Sequence, residues 1–197
     1  MRELIYLVAT SLDGFIAGPG GDTGAFPMSG DHIAALFRDW PETLPGPALA
    51  AAGITPHNRK FDTVLMGWNT YQVGLAGGLT SPYPHLNQWV FSRHKKAPDA
   101  AVKTCSENPL EAVRALKQEP GAGIWLCGGG ALADALWPEI DRLILKVNPI
   151  VLGHGIHLRA VQPGGDAQAQ SFRLTSSTRF ESGVMMNEYA REPVAAA

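Results

Sequence analysis

Unbroken apolar runs set the rhythm of the first three quarters of this chain. Leu4-Ile5-Tyr6-Leu7-Val8-Ala9, the stretch from Phe61 to Gly67, Gln88-Trp89-Val90-Phe91 and Ile124-Trp125-Leu126-Cys127 are short segments with little alternation. A strand that is apolar at successive positions hides both faces, as strands inside a parallel sheet do. Helical spacing lies between them. Ile33, Leu36, Phe37 and Trp40 fall at i, i+3, i+4 and i+7, which predicts a helix over 31–40 with one apolar face. Asn108, Pro109 and Glu111 supply an N-cap, a proline at the first helical position and a first-turn carboxylate, which predicts a helix to about Glu119, stopped by Pro120-Gly121. Shorter helices are expected around 48–52, directly after Gly67, and over 131–137; further strands are expected over 101–104 and 142–148, then an irregular return over 149–158. The pattern changes near the C-terminus. Phe172, Leu174, Ser176, Thr178 and Phe180 alternate, and Glu181-Ser182-Gly183 turns the chain into an apolar stretch over 184–190, which reads as an antiparallel hairpin.

These elements predict an α/β protein with a mostly parallel central sheet, flanking helices and a C-terminal hairpin. At 197 residues and 45% hydrophobic, one domain over 1–192 is expected, with 193–197 as a disordered tail. A formal net charge of −2 with no basic run longer than Arg93 to Lys96 argues against a nucleic-acid surface. The first apolar run is too short for a membrane span or signal-peptide core, so a cytoplasmic protein is expected. Cys105 and Cys127 lack metal-ligand spacing and read as reduced thiols. His154 and His157 flank Gly155 without an accompanying carboxylate or cysteine, which speaks for a loop and no metal.

Candidate chemistry gathers where strands end. Gly67-Trp68-Asn69-Thr70, Ser92-Arg93 and Gly128-Gly129-Gly130-Ala131-Leu132 each follow an apolar run. In open α/β sheets, ligands bind outside the carboxyl ends of strands. Glycine permits close backbone approach, and helix N-termini offer unpaired N–H groups to a phosphate. The glycine triplet reads equally as a phosphate-binding turn and as a tight strand-to-helix connection. Residues 128–133 also satisfy G-x-G-x-x-[GA], but the turn comes late in the chain and no acidic residue ends the next strand, against a Rossmann unit. The segment from Gly18 to Gly30, with five glycines and two prolines, reads as a loop over a ligand.

The ordered series Ser-Leu-Asp-Gly-Phe-Ile-Ala (11–17), Val-Leu-Met-Gly-Trp-Asn-Thr-Tyr (64–71), Val-Phe-Ser-Arg (90–93), Cys-Gly-Gly-Gly-Ala-Leu (127–132) and Pro-Ile-Val-Leu-Gly-His-Gly (149–155) resembles the dihydrofolate reductase fold. More closely, it resembles the reductase domain of the bifunctional riboflavin-biosynthesis deaminase-reductases and their stand-alone relatives. The resemblance implies NADPH extended along the sheet edge. Ala9 and Ile16 would border the nicotinamide; Gly67, Asn69, Thr70 and residues 128–132 would hold the pyrophosphate, with a cis peptide between paired glycines. Ser92 and Arg93 would meet the 2′-phosphate, although Arg93 also reads as a solvated loop charge.

Three departures bear in turn on the cofactor, the substrate and a deaminase activity. Trp68 stands where the folate enzymes often carry a basic residue, and its indole would stack on adenine. Leu86 falls near the position of their folate-tail arginine, which argues against dihydrofolate. No deaminase zinc motif is present. Phe26 and Asp31 repeat the aromatic-x4-acid spacing of those enzymes, so Phe26 would contact substrate. Asp31 would be a desolvated proton donor of raised pKa, or else only a first-turn helix carboxylate. Asp13 reads as a turn residue. Lys146 would face the same cleft and meet a substrate anion, or form a salt bridge. The expected activity is hydride transfer to a small carbonyl, imine or pterin/pyrimidine-like compound. The alternative is a non-catalytic nucleotide-binding or sensing protein on the same fold. Proteins of this kind are often dimers, so a homodimer is also implied.

Overall fold

The computed structural model describes residues 1–161 and 169–193; the expected tail beyond Pro193 lies outside them. Its elements run β1 (Leu4–Thr10), β2 (Phe15–Ala17), α1 (Asp31–Asp39), α2 (Gly46–Ala52), β3 (Phe61–Gly67), α3 (Trp68–Ala76), β4 (Asn87–Phe91), β5 (Val102–Cys105), α4 (Pro109–Gln118), β6 (Gly123–Gly128), α5 (Gly130–Ala135), β7 (Ile140–Val147), β8 (Ile156–His157), β9 (Phe172–Arg179) and β10 (Met185–Arg191). An eight-stranded sheet has the order β5-β4-β3-β6-β1-β7-β10-β9. Strands β5 through β7 pair in parallel, and β10 pairs antiparallel with both β7 and β9. The expected mostly parallel sheet and C-terminal antiparallel hairpin are both present.

The unbroken apolar runs have the physical cause anticipated for them. Along β1, Leu4 and Tyr6 face one core with α4 and α5, while Ile5 and Leu7 face another with Trp40, Tyr71 and Leu86. Leu4 to Val8 are therefore covered by one layer or the other, while Ala9 is half-buried at the carboxyl end of the strand. The chain leaves β1 across β6 to reach β3, and leaves β6 across β1 to reach β7. Right-handed crossovers running in opposite directions land on opposite faces. They leave a crevice at the carboxyl ends of β6, β1 and β7, where such sheets bind ligands.

Two expectations need correction. The return after β7 is not wholly irregular, because β8 pairs antiparallel with β2 in a small second sheet. On α1 the expected stripe is covered only in part: Trp40 at its end is buried and Leu36 packs on the same core, but Ile33 and Phe37 are only half-buried and the buried positions within the helix are His32 and Ala35. The helix is rolled relative to its apolar stripe because His32 finds partners inside: Nδ1 lies 2.9 Å from Ser182 Oγ, and Nε2 lies 3.3 Å from the Pro27 carbonyl.

Candidate active site

The turn from β1 into β2 is built first, by local hydrogen bonds. Ser11 Oγ donates to Asp13 (2.6 Å) and accepts from the Phe15 amide (3.0 Å). Asp13 also accepts from the amides of Leu152 (3.1 Å) and Gly153 (2.7 Å). These bonds, the Ser11 hydroxyl first, lower its pKa to about 2. Asp13 is thus a turn residue, as read, and it also ties β2 to the segment after β7. Asn148, fully buried, fixes the neighbouring strand ends by donating from Nδ2 to the carbonyls of Thr10 (3.1 Å) and Lys146 (2.9 Å).

Above these ends lies one continuous cleft of about 1140 Å³. That exceeds the roughly 300–1,000 Å³ of a drug-sized site and suits an elongated ligand with a second molecule beside it. Ala9, Ile16, Gly67, Trp68, Asn69, Thr70, Ser92, Arg93, Gly128, Gly129, Gly130, Ala131 and Leu132 all line it, as do Phe26 and Lys146. The strand ends singled out in the sequence are therefore brought to one wall.

The middle of the cleft is a backbone cradle. The Gly128–Gly129 peptide is cis, as the resemblance implied. A Cβ on Gly129 would stand 3.6 Å from Thr70 Oγ1 and 4.0 Å from Ile16, filling the cleft without touching backbone. Gly130 answers to a different constraint. A Cβ there would come 2.3 Å from the His157 carbonyl, and the Gly130 carbonyl accepts from the Ala160 amide (3.1 Å). The triplet is divided between its members: Gly130 is required by packing, as a tight strand-to-helix connection would have it, while Gly128 and Gly129 leave space open to the cleft.

The outer end is polar and exposed. Arg93, His94 and Lys95 project there, and the Lys95 amide donates to Ser92 Oγ (3.0 Å). Trp68, the first residue of α3, meets this loop, with Lys95 Nζ 5.2 Å from its ring centre and its Nε1 donating to Gln72 in the same helix (3.0 Å). Ser106, Glu107 and Asn108 complete this end, a contribution from the β5–α4 connection that the sequence reading missed. Only their place after a strand end marked them.

The inner end is apolar, walled by Val8, Ala9, Ile16, Ala17, Phe26 and Met28, with Lys146 as its cation. Burial lowers the Lys146 pKa. The salt bridge considered for it is not formed among the described residues. Cys127 also borders the cleft, but burial pushes its thiol up to about 12, with Tyr83 Oη 3.9 Å away. A thiol held protonated is a poor nucleophile.

Asp31 does not join this wall. Its exposed carboxylate accepts from the amides of Glu181 (2.6 Å), Ser182 (3.2 Å) and His32 (3.0 Å). Partial desolvation would raise its pKa, but these hydrogen bonds outweigh it and the net shift is downward. The anticipated raised pKa is therefore corrected. The carboxylate, in the first turn of α1, pins the β9–β10 turn, because that turn presents its amides to the start of the helix.

His157 stacks on Phe15 at 4.3 Å between ring centres. Among the described residues, no group of three or more His, Cys, Asp or Glu side chains is gathered as metal ligands. None of the described helices is long and apolar enough to cross a membrane.

A family model described as the RibD C-terminal domain matches residues 2–186. The uncharacterized protein YwjB of Bacillus subtilis (strain 168) is 30% identical over 160 residues, 80% of this chain and 82% of its own length. A solved structure from Shewanella sp. PV-4, provisionally assigned to riboflavin biosynthesis, superposes with a TM-score of 0.70 at 20% identity, covering 98% of this chain and all of that one (100%). Dihydrofolate reductase from Enterococcus faecalis, solved with NADP(H) and the ligand RAB-propyl, superposes with a TM-score of 0.64 at 14% identity, covering 97% of each chain. At these identities the two structures establish a shared dihydrofolate reductase-like fold.

Proposed function

This chain belongs to the RibD C-terminal domain family, and from that premise we propose that it is an NADPH-dependent reductase acting on a small carbonyl, imine or pterin/pyrimidine-like compound other than dihydrofolate. The observation that carries the reading is the continuity of the cleft: an exposed cationic end, a glycine-walled middle and an apolar inner end in one line. That sequence of environments matches a 2′-phosphate, a pyrophosphate and a nicotinamide.

The residues present fit such a cofactor. Arg93 would grip the 2′-phosphate with Ser92 beside it, through charge-assisted hydrogen bonds. Trp68 would lie against adenine. Gly67, Asn69 and Thr70 at the start of α3, with residues 128–132 opposite, would leave room for the pyrophosphate and offer it amides and a hydroxyl. Ala9 and Ile16 would border the nicotinamide. When bound, the cofactor supplies hydride; the protein's part is to align the acceptor and to keep bulk water from the inner end. Phe26 and Lys146 would contact that acceptor. Leu86, buried at 6% exposure, gives no cation for a folate tail.

Titration calorimetry of NADPH and NADH against the wild type and Arg93→Ala tests this reading. The wild type should prefer NADPH by at least about tenfold, the equivalent of one charge-assisted contact, and Arg93→Ala should remove most of that preference. Equal affinity for both cofactors in the wild type would overturn the NADPH assignment. Binding without turnover across carbonyl and pterin panels would favour a nucleotide sensor on the same fold.

A further inference from the structure

Lys146 is 7% exposed, borders the cleft, and has no hydrogen-bond or salt-bridge partner for its Nζ among the described residues. Its only shift in pKa comes from burial, with no neighbouring charge contributing. Buried ammonium groups without a counter-charge are costly, and proteins ordinarily pair them. The acidic and imidazole groups on surrounding elements are engaged elsewhere. Glu188 of β10 pairs with Arg142 (2.6 Å), Asp31 of α1 holds the β9–β10 turn, and His32 bridges Ser182 and Pro27. On β6, Cys127 lies beside Tyr83.

The register fixes where this cation acts. Lys146 pairs with Ala9 across β1–β7 and with Met186 across β7–β10, so the three side chains leave the sheet on one face. Asn148 bonds the carbonyls of Thr10 and Lys146, which locks those strand ends together. The cation is thus held beside Ala9, the position read as the nicotinamide border, in a cleft that Ile16 and Phe26 also line.

We propose that the substrate is a small, apolar-bodied carbonyl or imine compound bearing one anionic oxygen group, which enters as the counter-ion of Lys146. This rests on the reductase reading of the cleft and deepens it. An apolar surface with one fixed cation rejects neutral polar compounds, which would lose hydration without compensation, and cationic ones, which would be repelled. It selects acids whose body is a ring or short hydrocarbon. A phosphorylated sugar chain, needing several donors, does not suit the inner end.

Phenylglyoxylate and its methyl ester are suitable probes, titrated calorimetrically into the NADP⁺-saturated protein so that no turnover intervenes. The acid should bind the wild type at least about tenfold more tightly than the ester, one charge-assisted contact in size. Lys146→Met should bring the two affinities together, with NADP⁺ affinity held within about twofold of wild type, and Lys146→Arg should restore part of the preference. If Lys146→Met fails to fold, Lys146→Gln takes its place. Equal affinities in the wild type, an acid preference that survives both Lys146→Met and Lys146→Gln, or no binding of either probe would overturn the proposal. NADP⁺ binding in the same samples separates the two readings, since its loss from the wild type would sink the reductase reading itself.

Discussion

The two ends of the cleft carry positive charge in opposite ways. At the outer end, Arg93, His94 and Lys95 stand exposed on a loop. At the inner end, Lys146 stands buried on a strand, locked by register and by Asn148. Exposed cations share their work and are screened by salt; one largely buried is screened less. On the function proposed above, the outer end would hold the cofactor. The inner end would then choose the substrate.

Salt should separate the two ends with the largest effect. Raising the salt from about 0.05 to about 0.5 M should weaken NADPH binding by about tenfold, while the inner end's preference for an acid over its ester changes by less than about twofold. Calorimetry at the two salt levels measures both. Equal sensitivity at both ends would remove the distinction.

Stability gives a second, smaller test. Lys146 has a folded-state pKa below its ordinary value because of burial, so the unfolded chain binds the proton more tightly. Its charge then destabilises the fold at neutral pH, and the penalty falls as pH rises through the folded pKa toward about 10.4. Lys146→Met should raise stability by about 1 kcal/mol at pH 7, or about 2–4 °C in Tm, and the gain should shrink in alkaline buffer. Thermal melts against pH check the sign. A gain that grows with pH would contradict it.

The smallest effect is expected at Asp31. Its depressed pKa means a contribution present above the unfolded value near 3.9 and lost as pH falls through the folded one. Asp31→Asn should lower Tm slightly at neutral pH, flatten the acid limb of the melt profile, and leave kcat within about twofold. A large loss of turnover would return Asp31 to the chemistry.

The contrast between Lys146 and Asp31 also marks how far the sequence could be read. The strands of the parallel sheet were legible because burial on both faces leaves unbroken apolar runs, as in β1 and β6. The cleft wall was legible because glycines and hydroxyls followed those runs directly. What escaped notice depends on partners distant in the chain. The two-residue β8 pairs with β2 through tertiary placement, and no two-residue segment carries its own periodicity. His32 is a polar residue outside the apolar stripe, yet it is buried with Ser182 and the Pro27 carbonyl as its polar partners. Asp31 kept the spacing of a proton donor, but the β9–β10 turn, some 150 residues away, supplies the amides that claim it. The glycine triplet could not be divided by inspection, since only the passage of His157 and Ala160 beneath α5 distinguishes Gly130 from its neighbours.

A crystal structure with NADP⁺ bound tests the central claim most directly. The account predicts the nicotinamide against Ala9 and Ile16, the pyrophosphate between residues 67–70 and 128–132, and the 2′-phosphate at Arg93. A nucleotide running the other way, with its adenosine against Lys146 and Phe26, or seated outside this cleft, would contradict it.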